Sequence, residues 1–455
     1  MPHSRSEFQA RLLFYGDDFT GASDNAAQYA RHGLSTRLFF SLPEPTVLAQ
    51  AARECDVVGV AGTARSLDAP RMKAELLPVL TAFAALKVPL VQYKCCSTFD
   101  SAPHTGSLGH AIALMRQVWP GCFVPVHAAA PEFGRYTVFG HHFARAGQQV
   151  YRLDRHPVMS VHPVTPMQDA ELSVVLNEQG FTPAHHVDLR QLDQYALKHI
   201  DLAKELSRYD SAVFDGYTQQ HTVSTASLLC QLSQHKQVCA MAAQGLAHGL
   251  GQYWRESGRI SGKPPLQQLG ATDRLLVLSG SCSELSAKQI ALARQAGFLC
   301  LRLTPQLLFD EGHSGFEQVL LQTLAALRNG QSVVVFTAEG PQDQHAQMLR
   351  EWTANWASGQ LAQRIGHLFA SIASQAFRGT ALTRLVVAGG DSSSFTMRDL
   401  GAQALQCKAS HFEQNAHFAS LVSDDVQIHG KEVLLKGGQV GAEDIYQLAL
   451  RGFGQ

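Results

Sequence analysis

The sequence predicts an α/β protein of two domains, with mainly parallel sheets and a cleft between the domains. Apolar strand-like runs alternate with helical patterns through most of the chain, which is the order of βαβ units. At 455 residues, the chain exceeds the size of about 250–300 residues at which one hydrophobic core stops growing. A segment at 258–271, rich in Gly, Pro and Gln, interrupts the alternation. We therefore predict domains at 1–257 and 272–455 joined by this linker.

Composition excludes several classes of protein. A net charge of −1 with no Lys/Arg run argues against nucleic acid or an anionic membrane as a partner. No apolar stretch reaches the roughly 18–20 residues that a membrane span needs, and the N-terminus does not resemble a signal peptide. The nine cysteines are an odd number without C-x-x-C spacing. A reduced cytoplasmic setting is therefore expected, with the thiols mostly in the core.

The first strand-to-helix unit organises the chain. In LLFYGDDFTGASDN, residues 12–15 predict a buried strand and 22–31 a helix, with Gly33 placed to cap it. Asp17 and Asp18 follow the strand directly. Ligands of open α/β sheets bind beyond the carboxyl ends of the strands, so this position favours a substrate or metal role. The alternative is that an acid here only caps the helix.

The rest of the first half continues the alternation. A helix is predicted at 69–86, and the pattern from 136 to 153 indicates two short strands around Ala146-Gly147, a hairpin inserted into the domain. The Pro- and His-rich segment 154–167 cannot form a regular element and is typical of functional loops. Further strands are predicted at 36–40, 56–61, 88–93, 122–126, 211–215 and 237–240.

Two polar turns of this half carry candidate substrate-binding groups. The turn after the fourth strand contains Lys94, Ser97, Thr98, Asp100 and Ser101, which supply a cation, hydroxyls and an acid for a small polyhydroxy anion. Arg65 follows the third strand and has the fork that clamps a carboxylate, although a solvated loop Arg is the alternative. Adjacent Cys95 and Cys96 are more often inert than reactive. His141, His142, His156 and His162 lack the spacing of a metal site.

The second half restarts with a strand at 274–279. Strands are predicted near 298–303, 332–337, 383–388, 418–422 and 432–436, with helices between them.

Three turns in this half share one design. Glycines let backbone amides approach an anion, serines add donors, and a following helix adds its positive N-terminal end. This suits nucleotide phosphates, although Gly and Ser also make ordinary turns. No Walker-type, G-x-G-x-x-G or G-x-S-x-G motif is present, which disfavours P-loop enzymes, dehydrogenases and hydrolases. The candidate residues are Ser279, Gly280, Ser281, Ser283, Gly389, Gly390, Asp391, Ser392, Gly437, Gly438 and Gly441.

Taken together, these turns resemble the motifs of the four-carbon acid sugar kinase family, formerly catalogued as a domain of unknown function. YGDDFTGASD resembles its opening motif, KCCSTFDSAPHTGSLG its substrate-side motif, and SGSCS, AGGDSS and LKGGQVG its nucleotide-side motifs. The resemblance covers nearly the whole chain. It implies an N-terminal sugar-acid domain, a C-terminal nucleotide domain, and phosphorylation of a terminal hydroxyl of a sugar acid by ATP.

The C-S-T-F-D-S sequence is similar to the 3-oxo acid branch of the family, since the threonate and erythronate branch has Arg where this chain has Asp100. Within that branch, the segment YTVFGHHFA…YRLDRHPVMSVHPVTPM is similar to the isoapionate type. The resemblance therefore implies 3-oxo-isoapionate as the acid, with 3-oxo-tetronate or another four-carbon acid as the alternative. We expect Asp17 or Asp18 to orient or deprotonate the attacking hydroxyl, and Mg²⁺ to bridge the phosphates. A non-catalytic sensor, and a hydrolase using Ser281 or Ser392, are competing classes. A homo-oligomer stays possible.

Overall fold

The chain divides into two compact units in a computed structural model, Met1–Pro264 and Pro265–Gln455. The structure describes residues 9–260, 268–309, 314–356, 359–411 and 416–454, without the side chains of Ser314 and Asp391. Of the predicted linker, residues 261–267 lie outside the described part.

The first unit is an α/β sandwich around a parallel sheet. Its strands are β1 (Leu12–Gly16), β2 (Thr36–Phe39), β3 (Val57–Ala61), β4 (Leu90–Lys94), β5 (Val124–His127), β6 (Arg135–Val138), β7 (His141–Ala146), β8 (Gln149–Arg152), β9 (His186–Val187), β10 (Ser211–Phe214) and β11 (Val238–Ala242). Its helices are α1 (Phe19–Arg31), α2 (Pro45–Glu54), α3 (Ala69–Ala85), α4 (Leu108–Val118), α5 (Leu172–Glu178), α6 (Leu189–Ala196), α7 (Leu202–Leu206), α8 (Gln219–Leu232) and α9 (Gln244–Glu256).

The main sheet of this unit runs in the order β2-β3-β1-β4-β11-β5-β10-β9, with parallel pairs throughout. Strands β1, β3, β4 and β11 are buried along their whole length, because helices cover both faces of a parallel sheet. The carboxyl ends of β1, β3 and β4 therefore meet at one edge, which brings together the turns that follow them.

The insertion after β5 differs from the predicted hairpin. A three-stranded antiparallel sheet, β6-β7-β8, stands there instead of two strands. The turn from β6 to β7 passes through Phe139 and Gly140, whose φ values of 49° and 78° are left-handed. A single glycine between Phe139 and two histidines is a weak turn signal, so the sequence predicts one strand where β6 and β7 stand. The segment 154–167 forms no helix or strand beyond two short 3₁₀ turns, as predicted.

The second unit is also α/β. Its strands are β12 (Leu276–Ser279), β13 (Leu299–Arg302), β14 (Val333–Phe336), β15 (Arg384–Ala388), β16 (Ala404–His411), β17 (Ala416–Val422) and β18 (Glu432–Lys436). Its helices are α10 (Glu284–Gln295), α11 (Pro305–Phe309), α12 (Ser314–Arg328), α13 (Gln344–Trp352), α14 (Gln360–Gly379), α15 (Gly390–Asp399) and α16 (Ile445–Arg451).

Its strand order is β13-β14-β12-β15-β18-β17-β16, and the first five strands are parallel. The helix predicted between β17 and β18 is wrong, since these strands are an antiparallel pair. The link between Val422 and Glu432 is too short for a parallel crossover, which needs a dozen or more residues. Strand β16, whose sequence mixes polar and apolar residues, was not predicted. The predicted α/β class with mainly parallel sheets is confirmed.

Within the described ranges, no helix combines the length and the apolar character that crossing a membrane requires.

Candidate active site

The acid pair lies at the carboxyl end of β1 and shares one guanidinium. Arg65 Nη2 donates to Asp17 Oδ1 at 2.8 Å and to Asp18 Oδ1 at 2.7 Å, and its Nε donates to Asp17 Oδ2 at 3.2 Å. The backbone N–H of Arg65 also donates to the Asp17 carbonyl at 3.1 Å. Three predicted site residues therefore form one ion cluster.

The two carboxylates differ in environment. The side chain of Asp17 is 1% exposed and that of Asp18 is 25% exposed. Burial raises the pKa of Asp17 despite Arg65. Burial also opposes ionisation of Asp18, but Arg65, Lys94 and hydrogen bonds from Thr20 Oγ1 and the Gly21 amide together lower its pKa. Asp18 thus presents an ionised carboxylate that a ligand can reach, while the buried Asp17 accepts two hydrogen bonds from Arg65 and holds it in place.

Asp18 also caps α1, so the two interpretations of this acid are compatible. Its side chain accepts from the Gly21 amide at 3.2 Å. A Cβ at Gly21 would overlap Asp18 Oδ1 and lie 2.7 Å from Lys94 Nζ. Position 21 therefore requires glycine, because the carboxylate and the buried ammonium of Lys94 occupy the space a side chain would need.

The loop that carries Arg65 is anchored to α3. Glu75 accepts hydrogen bonds from Tyr15 Oη at 2.5 Å, from the Thr63 amide at 2.6 Å and from Thr63 Oγ1 at 2.7 Å. The Ala64 amide donates to Tyr15 Oη at 3.3 Å. These contacts fix the start of the loop and so hold Arg65 against the acid pair.

The turn after β4 uses its predicted residues in two ways. Ser97 and Thr98 are half-buried, and Thr98 Oγ1 lies 3.1 Å from Cys96 Sγ. Asp100 Oδ1 instead accepts from the Thr165 hydroxyl, and Ser101 Oγ donates to the Phe99 carbonyl at 2.9 Å. Asp100 and Ser101 therefore shape the turn, whereas Ser97 and Thr98 stay candidates for contact with a ligand.

The same turn is held by residues that the sequence analysis did not select. His142 Nε2 lies 2.8 Å from the Ser97 carbonyl, and Gln179 Nε2 donates to Ser101 Oγ at 2.9 Å. Phe99 is buried with a left-handed φ of 57°, a strained conformation for a residue other than glycine. Since these anchors come from β7, from the end of α5 and from the 154–167 segment, only the folded chain reveals them.

In the second unit, the three predicted turns line one cavity of about 800 Å³. Ser279 is buried in β12, Gly437 and Gly441 stand beside the cavity rather than in its wall, and the side chain of Asp391 lies outside the described part. The predicted residues in its wall are Gly280, Ser281, Ser283, Gly389, Gly390, Ser392 and Gly438.

Hydrogen bonds connect the three turns. The Gly280 amide donates to the Ala388 carbonyl at 2.8 Å, the Gly389 amide to the Lys436 carbonyl at 2.9 Å, and Ser283 Oγ to the Gly438 carbonyl at 2.6 Å. Helix α15 begins at Gly390 with no side-chain cap. Its first amides are therefore available to an anion in the cavity, as at phosphate sites of other α/β proteins.

One wall of this cavity is apolar and was missed by the sequence analysis. It consists of Pro341, Gly359 and the first turns of α14, with Leu361, Ala362 and Ile365. Leu361 and Ile365 are four residues apart and so lie on the same side of the helix. The flat apolar face of a nucleobase fits against such a wall, while the backbone amides of the glycine turns suit phosphates.

In the described part of the chain, no group of three His, Cys, Asp or Glu side chains could hold a metal ion.

Buried histidines make the stability of the fold depend on pH. Burial lowers the pKa of His127, His142 and His248 from 6.5 to about 4. The unfolded chain therefore binds protons that the folded protein excludes, and the free energy of unfolding falls as pH drops from 6.5 towards 4. Each histidine contributes a slope of up to about 1.4 kcal/mol per pH unit in that window.

We expect His127→Gln to reduce this slope, measured by urea unfolding between pH 7.5 and 4.5, by up to about 1.4 kcal/mol per pH unit, because His127 is fully buried and neither ring nitrogen has a hydrogen-bond partner among the described residues. His104 is exposed, so His104→Gln is the matched control and should leave the slope unchanged. An unchanged slope in His127→Gln contradicts the assignment.

Comparison with known proteins gives consistent matches for both units. A model of a sugar-binding N-terminal domain matches residues 12–250, and a model of a nucleotide-binding C-terminal domain matches residues 276–446. The chain is 34% identical over 449 residues to a 3-oxo-isoapionate kinase of Paraburkholderia graminis, covering 97% of this chain and 94% of the relative. It is 28% identical to a 3-oxo-tetronate kinase of Pectobacterium atrosepticum, covering 97% and 99%.

Solved structures share the fold. A Haemophilus influenzae protein superposes with a TM-score of 0.72 at 23% identity, covering 96% of this chain and 99% of that one. A Salmonella typhimurium protein described as a putative tRNA synthase gives 0.75 at 22% identity, covering 97% and 99%.

Proposed function

Because the chain belongs to the four-carbon acid sugar kinase family, we propose that it transfers the γ-phosphoryl group of ATP to a terminal hydroxyl of a sugar acid. The observation that carries this proposal is the pairing of chemistries in the chain. In the first unit, an acid pair that contacts Arg65 follows strand β1. In the second unit, three glycine turns line a cavity of about 800 Å³. Phosphoryl transfer needs an oriented hydroxyl and a phosphate cradle, and the two units supply one each.

We infer 3-oxo-isoapionate as the acceptor. The kinase named for that acid is 34% identical to this chain, whereas those named for 3-oxo-tetronate are 25–29% identical. A 3-oxo-tetronate, threonate or erythronate kinase is the alternative. The cysteines of the described chain are free thiols, which supports the cytoplasm as the place of this reaction.

Asp18 is the group that orients the acceptor hydroxyl. Its carboxylate is ionised and partly exposed, so a ligand can contact it. Catalysis of phosphoryl transfer depends more on positioning of the reactants than on a strong base. Asp17 holds Arg65, and Arg65 in turn fixes Asp18. Ser97 and Thr98 add hydroxyl contacts to the acid.

The residues of the second unit fit a nucleotide and its Mg²⁺. The open amides of α15 and the Ser281, Ser283 and Ser392 hydroxyls suit phosphates, and Glu284 adds a carboxylate to the cavity wall. Mg²⁺ prefers oxygen ligands and, when bound, would neutralise charge on the phosphates. Transfer requires the γ-phosphoryl group to reach the hydroxyl oriented by Asp18.

Coupled-enzyme detection of ADP tests the proposal, with ATP and each candidate acid in turn. We expect ADP release that depends on the acid and is fastest with 3-oxo-isoapionate. Tight binding of acid and nucleotide without release would instead identify a sensor. Turnover without ATP that serine-directed reagents abolish would identify a hydrolase.

Cys282 gives an independent test of the nucleotide site. It is exposed and lines the cavity. We expect iodoacetamide to modify Cys282 faster than the buried thiols, and saturating ATP to slow this modification at least about tenfold. Peptide mass spectrometry measures the rate, with Cys300 as the internal control. Equal rates of Cys282 modification with and without ATP would contradict the assignment of this cavity as the ATP site.

A further inference from the structure

Arg135, at the start of β6, is a partly buried cation with no acidic partner among the residues that the structure describes. Its Nη1 donates to the carbonyls of Phe133, Gly134 and Arg145 at 2.9, 3.3 and 3.4 Å. Its Nε is buried without a hydrogen-bond partner among the described residues. In that part of the chain, no carboxylate lies within ion-pair distance of Arg135. A desolvated guanidinium in this state is stabilised by an incoming carboxylate, which matches its fork.

The register of the small sheet places Arg135 on the face that meets the turn after β4. Arg135 pairs with Ala144, and Thr137 pairs with His142. Residues two apart on a strand share a face, so Arg135, Thr137, His142 and Ala144 point to the same side. His142 from this face lies 2.8 Å from the Ser97 carbonyl. The guanidinium therefore stands beside the turn that carries Ser97 and Thr98.

His142 fixes the contact between the small sheet and this turn. The Ser97 carbonyl can only accept, so His142 Nε2 carries the proton and donates to it. Nδ1 then accepts from Thr137 Oγ1 at 3.0 Å, and burial lowers the pKa of the ring, which keeps it neutral. Because β6 and β7 are paired, the position of Arg135 relative to Ser97 is set by this bond.

The two other candidate cations for the substrate carboxylate, Arg65 and Lys94, already interact with Asp17 and Asp18. Arg65 Nε and Nη2 are occupied by Asp17 and Asp18, and the same acids neutralise its charge. Lys94 is buried and compensates the same pair. Cys96, in the turn after β4, lies near both Arg65 and Arg135, so the two guanidinium groups flank one turn. The prediction that Arg65 clamps the substrate carboxylate is therefore less favoured than a role in holding the acids.

We propose that Arg135 binds the carboxylate of the sugar acid, while Asp18 orients the hydroxyl at its other end. This inference rests on the proposed function, since it assigns one end of the same substrate. It predicts a preference for an acid over a neutral sugar, because only an anionic ligand neutralises the partly buried charge of Arg135.

The test compares 3-oxo-tetronate with erythrulose, its neutral counterpart that has CH₂OH in place of the carboxylate. In Arg135→Met we expect KM for the acid to rise about 10- to 100-fold, the value of a lost charge-assisted hydrogen bond. KM for ATP should stay within about twofold of wild type, and kcat/KM for erythrulose should change little. Arg135→Lys keeps the charge without the fork and should fall between wild type and Arg135→Met.

Arg145→Met is the matched control, because Arg145 is exposed on the opposite face of the same sheet. It should retain the preference for the acid. Equal losses for acid and erythrulose in Arg135→Met would show that Arg135 only stabilises the fold, and would overturn the inference.

Calorimetric binding of 3-oxo-isoapionate, the acceptor inferred above, without nucleotide separates this inference from the proposed function. If no acid is phosphorylated but the acid binds and Arg135→Met abolishes binding, the kinase proposal fails and the role of Arg135 holds. If wild type and Arg135→Met bind the acid equally, or neither binds it, the role of Arg135 is wrong whatever the turnover.

Discussion

Asp18→Asn is expected to lower kcat for the sugar acid about 10³-fold, the scale of losing a general base or an orienting carboxylate. The amide keeps the oxygen that caps α1, since Asn is as good an N-cap as Asp, and this oxygen can still accept from Arg65, so thermal stability should fall less than in Asp17→Asn. KM for ATP should change less than about twofold. Stopped assays of ADP with saturating acid and varied ATP give kcat and KM, and thermal unfolding gives the midpoint.

Asp17→Asn is compared with Asp18→Asn in both stability and turnover. Asp17 is buried and its carboxylate holds Arg65 by two hydrogen bonds. Asn at this position offers one acceptor oxygen and turns an NH₂ donor towards an Arg65 donor, so one of the two buried hydrogen bonds is lost, at a cost of about 1–3 kcal/mol. We therefore expect a lower midpoint of unfolding in Asp17→Asn than in Asp18→Asn. Near-normal turnover in both variants would remove the acid pair from the mechanism.

The parts of the site that follow a strand directly were within reach of sequence reasoning. Asp17, Lys94, Gly280 and Gly389 each stand at or just after the end of a buried apolar strand, and parallel strands bring such ends to one edge. The local pattern was sufficient because the chemistry and its position are encoded in the same few residues.

The remaining parts depend on contacts between distant segments. Arg135 begins a strand that the Phe139 turn conceals, and His142 reaches Ser97 across 45 residues of chain. The apolar wall at Leu361 and Ile365 has the pattern of any amphipathic helix. Nothing in the spacing of these residues distinguishes a site from a core, so only packing assigns them.

The second large effect is expected at Gly389. Its φ of 132° belongs to a region that residues with side chains rarely adopt, and a Cβ there would overlap Ser392 Oγ. Gly389→Ala should therefore displace the start of α15, whose amides we assign to the phosphates, and weaken ATP binding by about 100-fold or more. Calorimetric titration with a non-hydrolysable ATP analogue measures the loss.

Gly270→Ala is the control for the loss of glycine itself, because Gly270 has open space around its Cβ position and no left-handed φ. It should bind the analogue like wild type. The comparison separates two explanations of a glycine-rich turn. If Gly389→Ala binds the nucleotide with wild-type affinity and only unfolds more easily, the glycine is needed for the conformation of the turn and not for contact with the nucleotide. Loss of binding in a variant whose second unit unfolds at the wild-type midpoint instead shows that the backbone at this turn contacts the phosphates, because a folding defect of that unit would lower the midpoint.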